Sequence, residues 1–489
     1  MKVNDRLAEA EAFIRQNAPL VNPMYRPRFH MTAPHGWIND PNGFCFYKGK
    51  IHLFYQFAPY TSYNSRMYWG HCTSEDFISW KYEGVALAPD TEADSEQCWS
   101  GNAIEDDSGH LVLMYTALRP DKDGRMLQEQ CIAFSEDGLH FVKPDCNPVI
   151  YAGHMPDDAS IYDFRDPKIV RSKDGYYAVV ANRGTRNGRQ LLFHSDDLIH
   201  WTYRSVFLEG IGDMPECPDL FHLAGKDVMI TSVIGLPKDG LRFQSQHSDV
   251  IYLIGEIRDE RFITQKMEAV DLGPDFYAPQ SIDLPDGRHV MIGWMQMWGE
   301  ESPTHYLDHH WNGAMTIPRE VWLQDDRLYQ MPVRELAQRR RNHQRWENVN
   351  VNGQYPLLHK ASRWYEMDVT LQLPAHGQAE IRLMQTGNEY FRIHYNAQTH
   401  ILTTDRSRCG WSMAPHDMWE PKPAGRAVVP NGTNKITLKV VVDTASVEVF
   451  VNGGILAMTT LAFPRETGNG VSFVGNCMIE QLDIWDITV

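Results

Sequence analysis

Five apolar runs decide the fold: IHLFYQF at 51–57, LVLMYTA at 111–117, YYAVVAN at 176–182, DVMITSV at 227–233 and HVMIGWM at 289–295. Each follows a short glycine-containing turn: YKGK (47–50), DSGH (107–110), KDG (173–175), AGK (224–226) and PDG (285–287). Each turn in its own right follows another apolar strand, which is the pattern of a β-hairpin. The runs begin at 51, 111, 176, 227 and 289, so the hairpin returns every 51 to 65 residues. A second repeat runs alongside it: SEDFISW (74–80), SEDGLHF (135–141) and SDDLIHW (195–201) are 61 and 60 residues apart. One repeat holds about two hairpins, enough for a four-stranded sheet. Five such sheets set radially make a five-bladed β-propeller. A single large β-sandwich is the alternative, but a sandwich rarely repeats a motif at so regular an interval.

Working outward, the fold class is all-β, with the propeller spanning residues 25–335. Residues 1–24 form an N-terminal extension in which Val3, Leu7, Ala10 and Ile14 share one face of a polar helix. Residues 330–345 (QMPVRELAQRRRNHQR) read as a linker ending in a short helix, with the linker proper at 336–354. Its basic run Arg339–Arg341 reads as a solvated helix face. From 355 to 489 strands return without the blade motif. Ile436, Leu438, Val440 and Val442 alternate, as do Val447, Val449 and Val451, and a C-terminal β-sandwich is expected.

The 489 residues are 43% hydrophobic and 22% charged, the balance of a soluble globular protein of two or three domains. A net charge of −17 disfavours nucleic acid and anionic membranes as partners. No apolar stretch approaches the roughly 18 residues of a membrane span, and no signal-peptide core follows the first helix. The eight cysteines show no CxxC pair or metal-like spacing, so reduced thiols and a cytoplasmic protein without metal or cofactor are expected. Oligomeric state stays open.

Three acids stand in unusual settings: Asp40 within WINDPNG (37–43), Asp166 within FRDPK (164–168) and Glu216 within PECPD (215–219). Asp40 lies 11 residues before Ile51, Asp166 lies 10 before Tyr176, and Glu216 lies 11 before Asp227. Ser100 holds the matching place in the second repeat, and YAPQ (277–280) in the fifth. Any one Asp beside a proline can be a mere turn former. Three acids at one repeat position, each in a different local sequence, point instead to a shared pocket on the propeller axis. Paired carboxylates are the equipment of glycoside hydrolysis, one as nucleophile or base and one as proton donor.

These motifs resemble glycoside hydrolase family thirty-two, the β-fructofuranosidases. The resemblance extends through FYQ (54–56), YWGH (68–71), WSG (99–101), DFYAPQ (275–280) and IGWM (292–295), and into DTASVEVFVN (443–452). It implies a five-bladed propeller plus sandwich and hydrolysis of a terminal β-fructofuranosidic bond with retention. Asp40 would be the nucleophile, Glu216 the acid/base and Asp166 the transition-state stabiliser. Asn39, Gln56, Trp99, Ser100, Arg165 and Trp311 would contact the sugar, with Trp69, Tyr277 and Gln280 as further contacts, of which the aromatics Trp69 and Tyr277 equally fit blade core. These roles call for an Asp40 of low pKa, a Glu216 of raised pKa, and an Asp166 kept charged beside Arg165. The expected substrate is a small molecule: sucrose, sucrose 6-phosphate or a short fructo-oligosaccharide. An inverting five-bladed glycosidase and a non-catalytic sugar-binding relative are the alternatives. The chain departs from the family at Asn64-Ser65-Arg66, where many relatives carry Trp-Gly; an arginine there either favours a phosphorylated sugar or marks a re-routed loop.

Overall fold

A computed structural model describes residues 6–185, 187–244, 248–357, 362–416, 420–466 and 468–489. The five apolar runs are each the second strand of a separate sheet: Lys50–Ala58, Leu111–Pro120, Gly175–Arg183, Lys226–Ile234 and His289–Trp294. Before each runs the innermost strand: Gly36–Tyr47, Gln97–Glu105, Phe164–Ser172, Met214–Leu223 and Tyr277–Asp283. The inner strands pack side by side in a closed ring, the fifth returning to the first, which makes the five blades of a propeller. The two residues Trp311-Asn312, inserted within blade five, run parallel to Gly36-Trp37 and tie the first and last blades together.

Blade two differs from the expected four strands. It has three, and its outer edge carries only single bridges from Phe134 to Val142 and from Gln130 to Ile150. Pro144 and Pro148 interrupt that stretch, and proline cannot donate to a ladder.

All five inner strands share a feature that hydrophobic patterning does not encode. Each slips register against its neighbour at the same place: at Ile38/Pro41, Trp99/Gly101, Arg165/Lys168, Glu216/Asp219 and Tyr277/Gln280. A bulge re-aims the side chains at that point and leaves a backbone N–H without a ladder partner.

Beyond the propeller the chain forms a sandwich whose layers share one strand. Gly470–Ile487 pairs along its length with Arg340–Leu357, and also with Gln378–Thr386 through its first part and Tyr365–Gln372 through its second. The alternating valines at 440, 442, 447 and 449 are fully buried between the layers. The linker expected over 336–354 is therefore corrected, while the short helix expected within 330–345 is present. A short 3-10 helix, Arg334–Arg339, leads directly into the strand Arg340–Leu357. That strand reads as polar because much of it is exposed. Arg339 pairs with Asp76, while Arg340 pairs with Glu366 and stacks 4.1 Å over Trp485, so this basic run is not a free solvated face.

The N-terminal helix, Arg6–Asn17, buries Ala10 and Ile14 against blade one, and its Glu11 accepts from the Val85 backbone and the Tyr82 hydroxyl. Val3 lies outside the described residues. The two large domains meet over buried charge as well as apolar surface. Arg319 of blade five bonds Asp271 at 2.9 Å and the sandwich's Glu448 at 2.6 Å, and His30 lies between Asp443 and Glu448. Removing one partner of such a set would strand a buried charge, worth about 3–5 kcal/mol.

Candidate active site

The bulges place the three acids. At Asp166 the backbone enters the left-handed region (φ 61°), and at Cys217 it does so again (φ 48°). Non-glycine residues hold such values only where their surroundings fix them. Here the bulge N–H groups are fixed by side chains of the preceding blade. Gly101 donates to Asn42 Oδ1 (3.2 Å), Asp166 to Thr116 Oγ1 (2.9 Å), Cys217 to Asp166 Oδ2 (3.1 Å) and Ala278 to Ser232 Oγ (3.0 Å). At Gly101 a Cβ would stand 2.0 Å from the Met114 carbonyl, which is why glycine follows Ser100.

Asp40, Asp166 and Glu216 line one cavity of roughly 460 Å3 at the axis. Asp40 is buried and accepts at both oxygens, from Asn39 Nδ2 (3.1 Å) and from Ser100 Oγ (2.7 Å). Glu216 accepts from Arg165 Nε and Nη2 on one oxygen (2.8 and 2.7 Å) and from the Tyr277 hydroxyl on the other (2.6 Å). The Cys217 thiol lies 3.5 Å from Asp166 and 3.6 Å from Asp40, between the two carboxylates. Among the described residues no group of His, Cys, Asp and Glu could hold a metal ion.

The electrostatics differ from the sequence expectation at Asp40. Burial pushes its pKa up to about 6, against the bonds from Ser100 and Asn39, and the Glu216 charge adds to the rise. Hydrogen bonds from neutral donors do not offset complete loss of water here. Asp166 is raised too, first by burial and then by Glu216, while Arg165 opposes the shift.

The sugar-contact expectations divide. Asn39, Gln56, Trp99, Ser100 and Arg165 line the cavity. Gln56 is held by the Cys98 carbonyl (3.1 Å) and Trp99 by Gln97 (2.9 Å). Tyr277 belongs to the site through its bond to Glu216. Trp69 does not: it is fully buried against Phe54 and Tyr115, and its indole N–H binds the Trp99 carbonyl. Gln280 is a brace, bonding the Gly101 carbonyl (2.7 Å) and the Phe44 N–H (3.2 Å) across blades. Trp311 is corrected outright. It lies under the Arg26 guanidinium (4.9 Å) and lines a separate small cavity with Tyr25 and Met295, its short strand paired with Gly36-Trp37 at the start of the innermost strand. Arg66 also falls away from the cavity, exposed and paired with Glu96 at 3.2 Å.

The sequence reading missed much of the rim: Tyr63, Met67, Gln128, Asp163, Trp298 and His416. Trp37 forms a wall with Tyr63 and Trp298 (6.2 and 6.3 Å between rings) and had a signal, its place in WINDPNG. His416 and its bonding partner Tyr63 are 353 residues apart, and no local pattern connects them. His416 comes from the sandwich, whose Ala414-Pro415 pairs with Glu300-Glu301 at the rim. Behind it Arg406, also of the sandwich, bonds Asp275 (2.5 Å) and Glu300 (3.0 Å).

The model of the Glycosyl hydrolases family 32 N-terminal domain matches residues 30–332, and that of the family 32 C terminal matches residues 332–486. The chain belongs to glycosyl hydrolase family 32. Within that family it is 32% identical to a sucrose-6-phosphate hydrolase of Escherichia coli over 479 residues, 95% of either chain. It is 32% identical to a raffinose invertase of Escherichia coli, over 99% of this chain and all of that one. Among solved structures a Bombyx mori β-fructofuranosidase variant in complex with sucrose superposes with a TM-score of 0.84, at 31% identity and 99% and 98% coverage. A sucrose-6-phosphate hydrolase from Lactobacillus gasseri gives 0.86 at 25% identity, covering 98% and 96%. Family 32 membership agrees with the propeller derived from the repeats and the sandwich read from the alternating apolar residues.

Proposed function

We propose that the chain is a β-fructofuranosidase that hydrolyses sucrose or sucrose 6-phosphate by double displacement, with Asp40 as nucleophile, Glu216 as acid/base and Asp166 as stabiliser. The observation that carries this reading is the single cavity in which Asp40 has donors on both oxygens while Glu216 is held by Arg165 and Tyr277. Asp40 attacks the fructosyl anomeric carbon as Glu216 gives a proton to the departing glycosidic oxygen. A water deprotonated by Glu216 then attacks the same carbon and frees Asp40. With a pKa of about 6, Asp40 is largely ionised at neutral pH, and a buried carboxylate stripped of water is a strong nucleophile. Burial and the neighbouring Glu216 and Asp40 charges also disfavour ionisation of Asp166. Asp166 accepts from a sugar hydroxyl, a bond that strengthens as positive charge develops on the ring.

The substrate assignment draws on the relatives named for sucrose 6-phosphate and the neighbour solved with sucrose. Retention is tested by early-time NMR of a methanol-trapped product, which should show a β-fructofuranoside; an α-product refutes double displacement. We also place the protein in the cytoplasm, a reading supported by its eight unpaired cysteines. Fractionation that recovered it elsewhere would remove that placement.

A further inference from the structure

Among the described residues, His416 is the sandwich residue that lines the catalytic cavity. Three contacts hold it at the mouth. Its backbone N–H donates to the Gly299 carbonyl (3.0 Å), continuing the pairing of Ala414-Pro415 with Glu300-Glu301. Its Nε2 bonds the Tyr63 hydroxyl, with the two rings edge to face at 5.2 Å. Its Nδ1 lies 3.6 Å from Glu301 Oε1. Tyr63 is braced in turn by Trp37 (6.2 Å between rings) and by His305 (5.2 Å), and the His305 Nδ1 and Ser62 hydroxyl are 2.9 Å apart. Blade one and blade five together thus position one imidazole of the other domain. Fastening the domains rests on other groups. Arg319 is buried between Asp271 and Glu448, and Arg406 between Asp275 and Glu300. The His416 side chain is instead 35% exposed, and contacts so exposed add little to stability.

We infer that His416 and Tyr63 form a specificity element for the leaving sugar, so that the sandwich domain takes part in choosing the substrate. The inference rests on the hydrolase reading and adds residues to it. With the fructosyl carbon at Asp40 and the glycosidic oxygen at Glu216, the departing group stands toward the mouth, where His416 is held. An imidazole and a phenol can each donate or accept. The pair therefore suits sugar hydroxyls, while the rings of Trp37, Tyr63 and Trp298 suit the apolar face of the same sugar. Binding at this unreacting end helps to hold the glycosidic bond between Asp40 and Glu216. A fructoside without a second sugar cannot draw on it.

The test compares kcat/KM for sucrose with that for methyl β-D-fructofuranoside, which presents the same fructosyl ring and no second sugar, in the full chain. In His416→Ala the sucrose value should fall by at least about tenfold, and about fivefold or more beyond any fall for the methyl fructoside. Tyr63→Phe keeps the ring but removes the hydroxyl bonded to His416, and should move the ratio the same way. The double variant should lose no more than about twofold beyond His416→Ala, since the two side chains act as one unit. His416→Gln, which can still bond a hydroxyl, should recover part of the ratio. A ratio unmoved in His416→Ala, whether both substrates fall together or neither falls, makes the residue a structural strap and overturns the inference while the hydrolase reading stands. A wild-type chain that cleaves neither fructoside removes the hydrolase reading and this inference with it.

Discussion

Replacing Asp40 by asparagine should abolish activity and stabilise the fold, and the second effect can be sized from the site. Burial lifts the Asp40 pKa from 3.8 to about 6. Roughly two units correspond to about 3 kcal/mol against the ionised form. The sign follows from proton linkage. A carboxyl with a raised folded-state pKa burdens the folded protein fully above that pKa. The burden shrinks as pH falls toward 3.8 and is gone below it. Asparagine never carries the charge. Its oxygen still accepts from Ser100, but its amide faces the Asn39 donor and forfeits a bond of about 1 kcal/mol. The net gain at neutral pH is then ~2 kcal/mol. For a propeller of ~300 residues, with ~2 cal/mol/K of unfolding entropy per residue, that is a rise of about 3 °C in Tm. Thermal unfolding of both proteins at about pH 7.5 and about pH 4.5 measures it, with the difference shrinking toward zero or changing sign at the lower pH. Sucrose turnover by Asp40→Asn should fall by at least about a thousandfold. A gain over wild type that is no larger at neutral than at acid pH refutes the buried-charge argument. One that keeps more than about a tenth of the rate, ~1.4 kcal/mol of barrier, refutes the nucleophile.

Two further substitutions address the proton donor. Glu216→Gln should collapse sucrose cleavage but spare formation of the fructosyl enzyme from an aryl fructoside, whose phenolate leaves without a proton; equal loss on both substrates points to another donor. Tyr277→Phe removes the only hydroxyl on Glu216 Oε2 among the described contacts and should lower kcat on sucrose about tenfold, with the aryl fructoside less affected. An unchanged kcat in steady-state assays makes Tyr277 a packing residue. In wild type the acidic limb of kcat/KM should fall near pH 6 as Asp40 takes up a proton, and a limb near pH 4 contradicts its burial.

The blades were legible because hairpins with Gly turns repeat, and the acids because they share one place in that repeat. What escaped has physical causes. Trp69 and Tyr277 look alike in sequence, yet one is blade core and the other binds Glu216. Trp69 lies on the third strand of its blade, Tyr68–Ser74, and Tyr277 on an innermost one, yet both strands are buried on both faces, so alternation does not tell them apart, and at Tyr277 the bulge resets the facing in any case. Trp311 misled because its environment is made by a two-residue parallel pairing. Arg340–Leu357 passed for a linker since a half-exposed strand carries few apolar residues. Glu300, Arg406 and His416 come together only through the docking of two domains, which leaves no mark in local sequence.

The central claim is a covalent bond from the fructosyl carbon to Asp40. Glu216→Gln should trap it, because an activated aryl fructoside forms the ester while the missing base slows its hydrolysis. Rapid quenching and mass spectrometry of the digested protein should then show a fructosyl adduct of about 162 Da on the peptide carrying Asp40. An adduct on any other residue, or a burst of phenol with no adduct, contradicts the account.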